Sequence, residues 1–150
     1  MAAEISLAIA HHLLVFSLAG ILAVELATVR RGMSPSAVKT LGVVDLHFGV
    51  IAGLVLVVGF ARVFMGAKGA AFYLSNHVFW TKIAAFAVVG IISIVPTVLI
   101  FRWRRRGKLD ASASPPDREV LLARRCLIAE AGVFLTIPAW AALMARGVGL

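Results

Sequence analysis

Cysteine is all but missing from this chain. The single one, Cys126, permits neither an internal disulfide nor a cysteine-based metal site, and it reads as a small apolar packing residue. Three signatures are absent as well: the GxGxxG of dinucleotide sites, the phosphate-binding P-loop and the HExxH of zinc hydrolases. With no clustered cysteine, zinc and iron–sulfur chemistry have no ligand set. Acid is scarce, 7 residues against 15 basic ones, for a net charge of +8. In a soluble protein that charge would raise the question of nucleic acid. Here it falls between hydrophobic blocks, so membrane topology and anionic lipid headgroups account for it, and no nucleic-acid partner is expected. No internal repeat is evident.

What is present is apolar sequence. The 150 residues are 61% hydrophobic, with a mean hydropathy of +0.99, where a soluble domain is about half apolar. The excess comes in four blocks of about 20 residues or more, the length a helix needs to cross roughly 30 Å of hydrocarbon. The chain therefore reads as one domain, residues 1–150, an all-α integral membrane protein with four transmembrane helices in an antiparallel bundle. The first block does not read as a cleavable signal peptide. It starts with an acid, Glu4, in place of a basic region, runs too long, and lacks a clear cleavage site.

The first helix is expected over residues 5–29, with Glu4 favourable at its start and Arg30 and Arg31 at its end. The turn GMSPS at 32–36 reverses the chain at Ser34-Pro35. The second helix is expected over 41–64, with Asp45 and His47 early and Gly49 and Gly53 spaced as GxxxG, a pattern that permits close helix approach. A connector at 65–76 carries Phe72 and Tyr73, suited to the interfacial aromatic belt, and ends in Ser75 and Asn76, either of which can cap the next helix. The third helix is expected over 77–101, weakened by Pro96 and stopped by RWRRRGK at 102–108. LDASASPPD at 109–117 is the most loop-like and mobile stretch. The fourth helix is expected over 120–144, with Glu130 inside and Pro138 as a kink.

The basic residues orient these helices. The first turn holds three, Arg30, Arg31 and Lys39. The third connection and its flanks hold eight: Arg102, Arg104, Arg105, Arg106, Lys108, Arg118, Arg124 and Arg125. Together these are eleven of the 15. Arg62, Lys68, Lys82 and Arg146 lie toward the other side. The positive-inside rule then makes both connections cytoplasmic and leaves both termini outside.

Depth follows from topology. At about 1.5 Å per residue, His11, His12, Arg62, His77 and Lys82 all fall within roughly 10 Å of the outer interface. Glu25, Asp45 and His47 lie about 20 Å away along the helix axis, and Glu130 sits between the two levels. Ionisable groups inside membrane helices are expensive and by default suggest a functional site. Each also has a plainer reading. Arg62 and Lys82 can snorkel to headgroups, less readily for Lys82 because it follows Trp80 inward. His11 and His12 point about 100° apart, so at most one faces a shared site. A membrane histidine can also simply bond a backbone carbonyl. For His47 a structural bond to a neighbouring helix is expected, and for His77 an interfacial position. Glu25 and Glu130 either pair with a cation or stay protonated.

One chemistry uses such residues together. Neutral imidazole is a good axial ligand for haem iron, and a four-helix bundle can hold a planar macrocycle. Arginine and lysine at the same depth can neutralise propionates or a reduced quinone. One histidine on the first helix with Lys82 nearby is more economical than a bis-histidine site using His77.

ARVFMGAKGAAFYLSNHVFWTK at 61–82, with HHLLVFSLAG before it and MARG near the end, closely resembles the bacterial membrane family catalogued as domain of unknown function 2214. The likeness covers nearly the whole chain. A more distant likeness is to the membrane-bound, oxygen-independent protoporphyrinogen IX oxidases and the copper-resistance D-type membrane proteins. His12, Phe16 and Gly20 match the oxidases' first-helix histidine followed by an aromatic and a glycine. Trp80 and Lys82 match their tryptophan shortly before a lysine, although the spacing is shorter here and the additional helix of those oxidases is lacking. The resemblance implies haem b binding, with His12 as the iron ligand.

The expectation is thus an inner-membrane haem b protein with a redox role, an oxidoreductase if it is an enzyme, exchanging electrons with a quinone or a porphyrinogen. His12, with His11 as substitute, would ligate the metal. Trp80, Lys82 and Arg62 would line the cofactor site, and Lys82 and Arg62 would carry any catalysis. Expected partners are membrane lipids and either copies of the chain or a larger membrane complex. The alternatives are a non-enzymatic accessory subunit or scaffold and a metal or small-solute transporter.

Overall fold

The structure, a computed structural model, describes residues 2–66, 69–110 and 112–149. Among them are five helices and no strand: α1 (Ala2–Thr28), α2 (Pro35–Met65), α3 (Gly69–Leu74), α4 (His77–Leu109) and α5 (Asp117–Ala145). All but α3 are long and apolar enough to cross a membrane. Lys68, grouped above with the outer basic residues, and Ala111, in the expected mobile loop, lie outside the described residues.

The helices run past the hydrophobic blocks because their ends are set by polar groups. Ser34 is the N-cap of α2, its hydroxyl accepting from the Ala37 amide at 3.2 Å, and Pro35 follows at the position where a missing N–H costs nothing. Of the two candidate caps for α4, Asn76 is the one used. Its Oδ1 accepts from the amides of Val78 (2.8 Å) and Phe79 (3.3 Å). α4 continues through Pro96 and the arginine run to Leu109. There Trp103 Nε1 donates to Glu119 at 2.7 Å and Arg106 makes two 3.0 Å bonds to the same carboxylate, which ties the extension to the first turn of α5. Beyond it, the Ser112 hydroxyl and amide both donate to Asp110 and hold that carboxyl below its ordinary value.

Packing forms a ring. α1 lies against α2 and α5, and α4 lies against the same two. Leu18, Leu41, Val89, Ile100 and Leu127 are buried between them, while Phe16, Ile91 and Leu135 stand exposed on the outside as lipid-facing side chains. In lipid the inward contacts stabilise through close van der Waals packing, because hydrocarbon outside is as apolar as the core. The glycines that allow close approach are not the expected pair. Gly49 and Gly53 have open space where a Cβ would stand, whereas a Cβ at Gly42 would strike Arg104 and one at Gly59 would lie 3.3 Å from His11.

The two ends of the ring differ. Toward the basic connections, Arg124 donates to the Leu26 and Val29 carbonyls (both 3.0 Å), Arg104 to the Gly42 carbonyl (3.3 Å), and Arg31 faces Asp117 at 3.7 Å. At the opposite end, Asn76 Nδ2 donates to the Val148 carbonyl (3.2 Å) and the His77 amide to the Gly149 carbonyl (3.1 Å), so the chain's last turn clasps the start of α4.

Candidate functional site

The clasped end contains a cavity of about 150 Å³ to which all five helices contribute. His11 enters from α1, Gly59 and Arg62 from α2, Tyr73 from α3, Phe79 and Lys82 from α4, and Phe134 from α5. His11, Arg62, Tyr73 and Lys82 are half-buried. The charges of Arg62 and Lys82 both bear on His11, and the charge of Arg62 bears on Lys82. The ion pairs Arg31 with Asp117 and Arg106 with Glu119 lie at the other end. His11 Nδ1 is buried with no hydrogen-bond partner among the described residues.

Local structure explains why these groups meet. Gly59 leaves room on α2 for the His11 ring across the interface. The Asn76 cap fixes the start of α4, which sets Lys82 about one and a half turns inward. Aromatics hold that turn: Phe79 meets the Tyr73 ring edge-on at 5.9 Å between centroids. The Lys82 ammonium lies 5.9 Å from the centre of the Phe79 ring, within cation–π range.

Of the residues expected from sequence, the structure brings His11, Arg62 and Lys82 together. His12 stands apart, exposed on the outer side of α1, with Nδ1 2.6 Å from the Ala8 carbonyl of its own helix. Trp80 is also exposed, its Nε1 donating to the Leu74 carbonyl at 3.0 Å, which closes the turn between α3 and α4. His77 is exposed at the start of α4. His47 bonds its own helix through the Val43 carbonyl (2.7 Å) and not a neighbouring one, because a histidine can reach the carbonyl four residues back without any partner helix. The rest of the lining is not singled out by the sequence: Tyr73 belongs to the expected interfacial belt, and Gly59 carries no signal beyond being a glycine one turn before Arg62.

Of the two histidines expected to ligate iron, His12 is exposed and does not line the cavity, while its substitute His11 does. The cavity itself is well below the roughly 300 Å³ at which pockets for drug-sized ligands begin. A cavity of about 150 Å³ is the size that admits one six-membered ring.

The family described as predicted membrane protein (DUF2214) matches residues 3–149, nearly the whole chain, and the chain belongs to it. No curated protein and no solved structure matches the chain. The likeness to protoporphyrinogen oxidases and copper-resistance proteins is not confirmed by these comparisons.

Proposed function

We propose that this member of a multi-pass membrane-protein family binds the ring of a quinone-class molecule between Arg62, Lys82 and His11. It would do so near the outer face of a bacterial inner membrane, with both termini outside. The observation that carries the reading is a ring-sized, mainly apolar cavity lined by two cations, Arg62 and Lys82, and by His11. A quinone carbonyl accepts hydrogen bonds from arginine and ammonium donors, and such charge-assisted bonds are about twice as strong as neutral ones. The same two cations would favour negative charge on that oxygen when the ring is reduced. The free Nδ1 of His11 supplies a further polar contact. Leu56 and Phe60, which line the cavity, are 40% and 45% exposed on the lipid-facing side, a way out for an apolar tail. In this reading the redox role expected from sequence rests on the quinone, with no haem b.

The test is chemical analysis of protein purified in mild detergent from quinone-rich membranes. Solvent extraction should recover quinone near one per chain, and the Arg62→Met/Lys82→Met protein should lose it while keeping its helical circular dichroism. Folded wild-type protein carrying no quinone would sink the proposal. A Soret band in its absorption spectrum would restore the haem reading, and co-purification with a larger complex would favour an accessory subunit.

A further inference from the structure

The other buried charges gather elsewhere, in the half of the bundle nearer the basic connections. Glu25 on α1 is 2% exposed and Glu130 on α5 is 0% exposed. Both carboxyl oxygens of Glu130, and Oε1 of Glu25, are buried without a hydrogen-bond partner among the described residues. Asp45 on α2 joins them. Its charge bears on both glutamates, and that of Glu130 bears on Glu25. Asp45 Oδ1 accepts from the Thr97 hydroxyl of α4 at 2.7 Å, so each of the four spanning helices contributes one group.

Three mutually repelling carboxylates in a bundle core need a neutralising cation. The candidates within the protein are committed elsewhere. Arg124 of α5 bonds the carbonyls that end α1. Arg104 of α4 bonds the Gly42 carbonyl and bears on Asp45 alone of the three acids. A metal is a poor substitute. Hard divalent ions gather about six or more oxygens, and no group of three or more histidine, cysteine or acidic residues among those described is arranged to hold one. A proton needs only one oxygen, and protonation removes the penalty of burying the charge outright. An orphaned buried carboxyl is also too costly to leave in a core unless it has a use, since each unsatisfied polar group costs about 1–3 kcal/mol.

We propose that Glu25, Glu130 and Asp45 form a proton-binding site inside the bundle, with the sealed glutamates as the holders. Asp45 is the half-buried member. It lines the cleft between α2 and α4 with Ser93 and Thr97, a space of about 360 Å³ that reaches the bundle surface at the exposed Leu46 and Val50. Loading the site is a protonation: one O–H bond forms on a carboxyl oxygen as one breaks in hydronium, with no change in oxidation state. The site lies about 20 Å along α1 from His11 and stands whatever the pocket binds.

Infrared spectroscopy of the full chain in lipid nanodiscs at neutral pH tests this. Exposed carboxyls are ionised there, so a protonated-carboxyl stretch that shifts in heavy water reports the buried acids alone. Wild type should show it, Glu130→Gln and Glu25→Gln should each lose part of it, and the triple variant with Asp45→Asn should lose all of it, with circular dichroism unchanged. Absence of the band in folded wild type, or its persistence in the triple variant, overturns the proposal. No band together with a melting temperature raised by sodium but not by choline would overturn it in favour of a bound metal cation.

Discussion

The cavity at the clasped end and the acid group deeper in the bundle hold charge in opposite ways. Arg62 and Lys82 are half-buried beside open space, and their long side chains can keep water or a ligand head within reach. Glu25 and Glu130 are sealed, and both oxygens of Glu130 and Oε1 of Glu25 have no hydrogen-bond partner among the described residues. Charge beside a cavity is suited to recognition. Unpaired acid in a packed core is suited to holding something as small as a proton. The same ring of helices thus supports two sites whose response to mutation differs in kind.

The largest effect is expected where the cavity's frame is held. Asn76→Ala removes the α4 cap and the bond to the Val148 carbonyl. It should destabilise the protein by about 2–4 kcal/mol, a lost cap plus orphaned backbone groups, read as a lowered unfolding midpoint in micelles. At the acid group the sign should reverse. Glu130→Met replaces orphaned oxygens with an apolar chain of similar size and should stabilise by about 1–3 kcal/mol in the same assay. A destabilised Glu130→Met protein would mean that the carboxyl has a partner and would erase the contrast. A smaller, purely local change sharpens it. Gly59→Leu places a side chain against His11, fills the cavity, and should weaken quinone binding about tenfold, or about 1.4 kcal/mol, with a melting loss no larger than about 1–3 kcal/mol, the cost of overpacking. The smallest effect belongs to His12→Ala, below about 0.5 kcal/mol on stability and none on binding, since an exposed side chain bonded within its own turn touches neither site. His11→Ala should cut binding, and equal effects from the two histidines would show that the face of α1 is misassigned.

Hydropathy alone made the four spanning helices legible, because length and apolarity are local properties of each block. Their ends were less so. α4 runs eight residues past its expected stop because Trp103 and Arg106 find Glu119, a partner on another helix that no local pattern announces. The cavity was half legible. Depth counting put His11, Arg62 and Lys82 at one level, yet it could not choose between adjacent histidines. That choice rests on which side of α1 meets Gly59. The same counting set Glu25 and Asp45 apart from the outer charges and put Glu130 between the two levels, but it could not show which of them face the bundle interior, since that depends on helix rotation. GxxxG misled for the same reason: Gly49 and Gly53 share a face, but nothing lies within 4 Å of where a Cβ would stand at either.

Titration of the nanodisc-embedded protein with a short-tailed quinone, wild type beside Lys82→Met, tests the central claim most directly. One charge-assisted hydrogen bond is worth about 1.5–3 kcal/mol, so the Kd should rise tenfold or more on losing the ammonium while Glu130→Gln leaves it unchanged. An identical Kd for wild type and Lys82→Met, or no saturable binding by the wild type, would contradict the account.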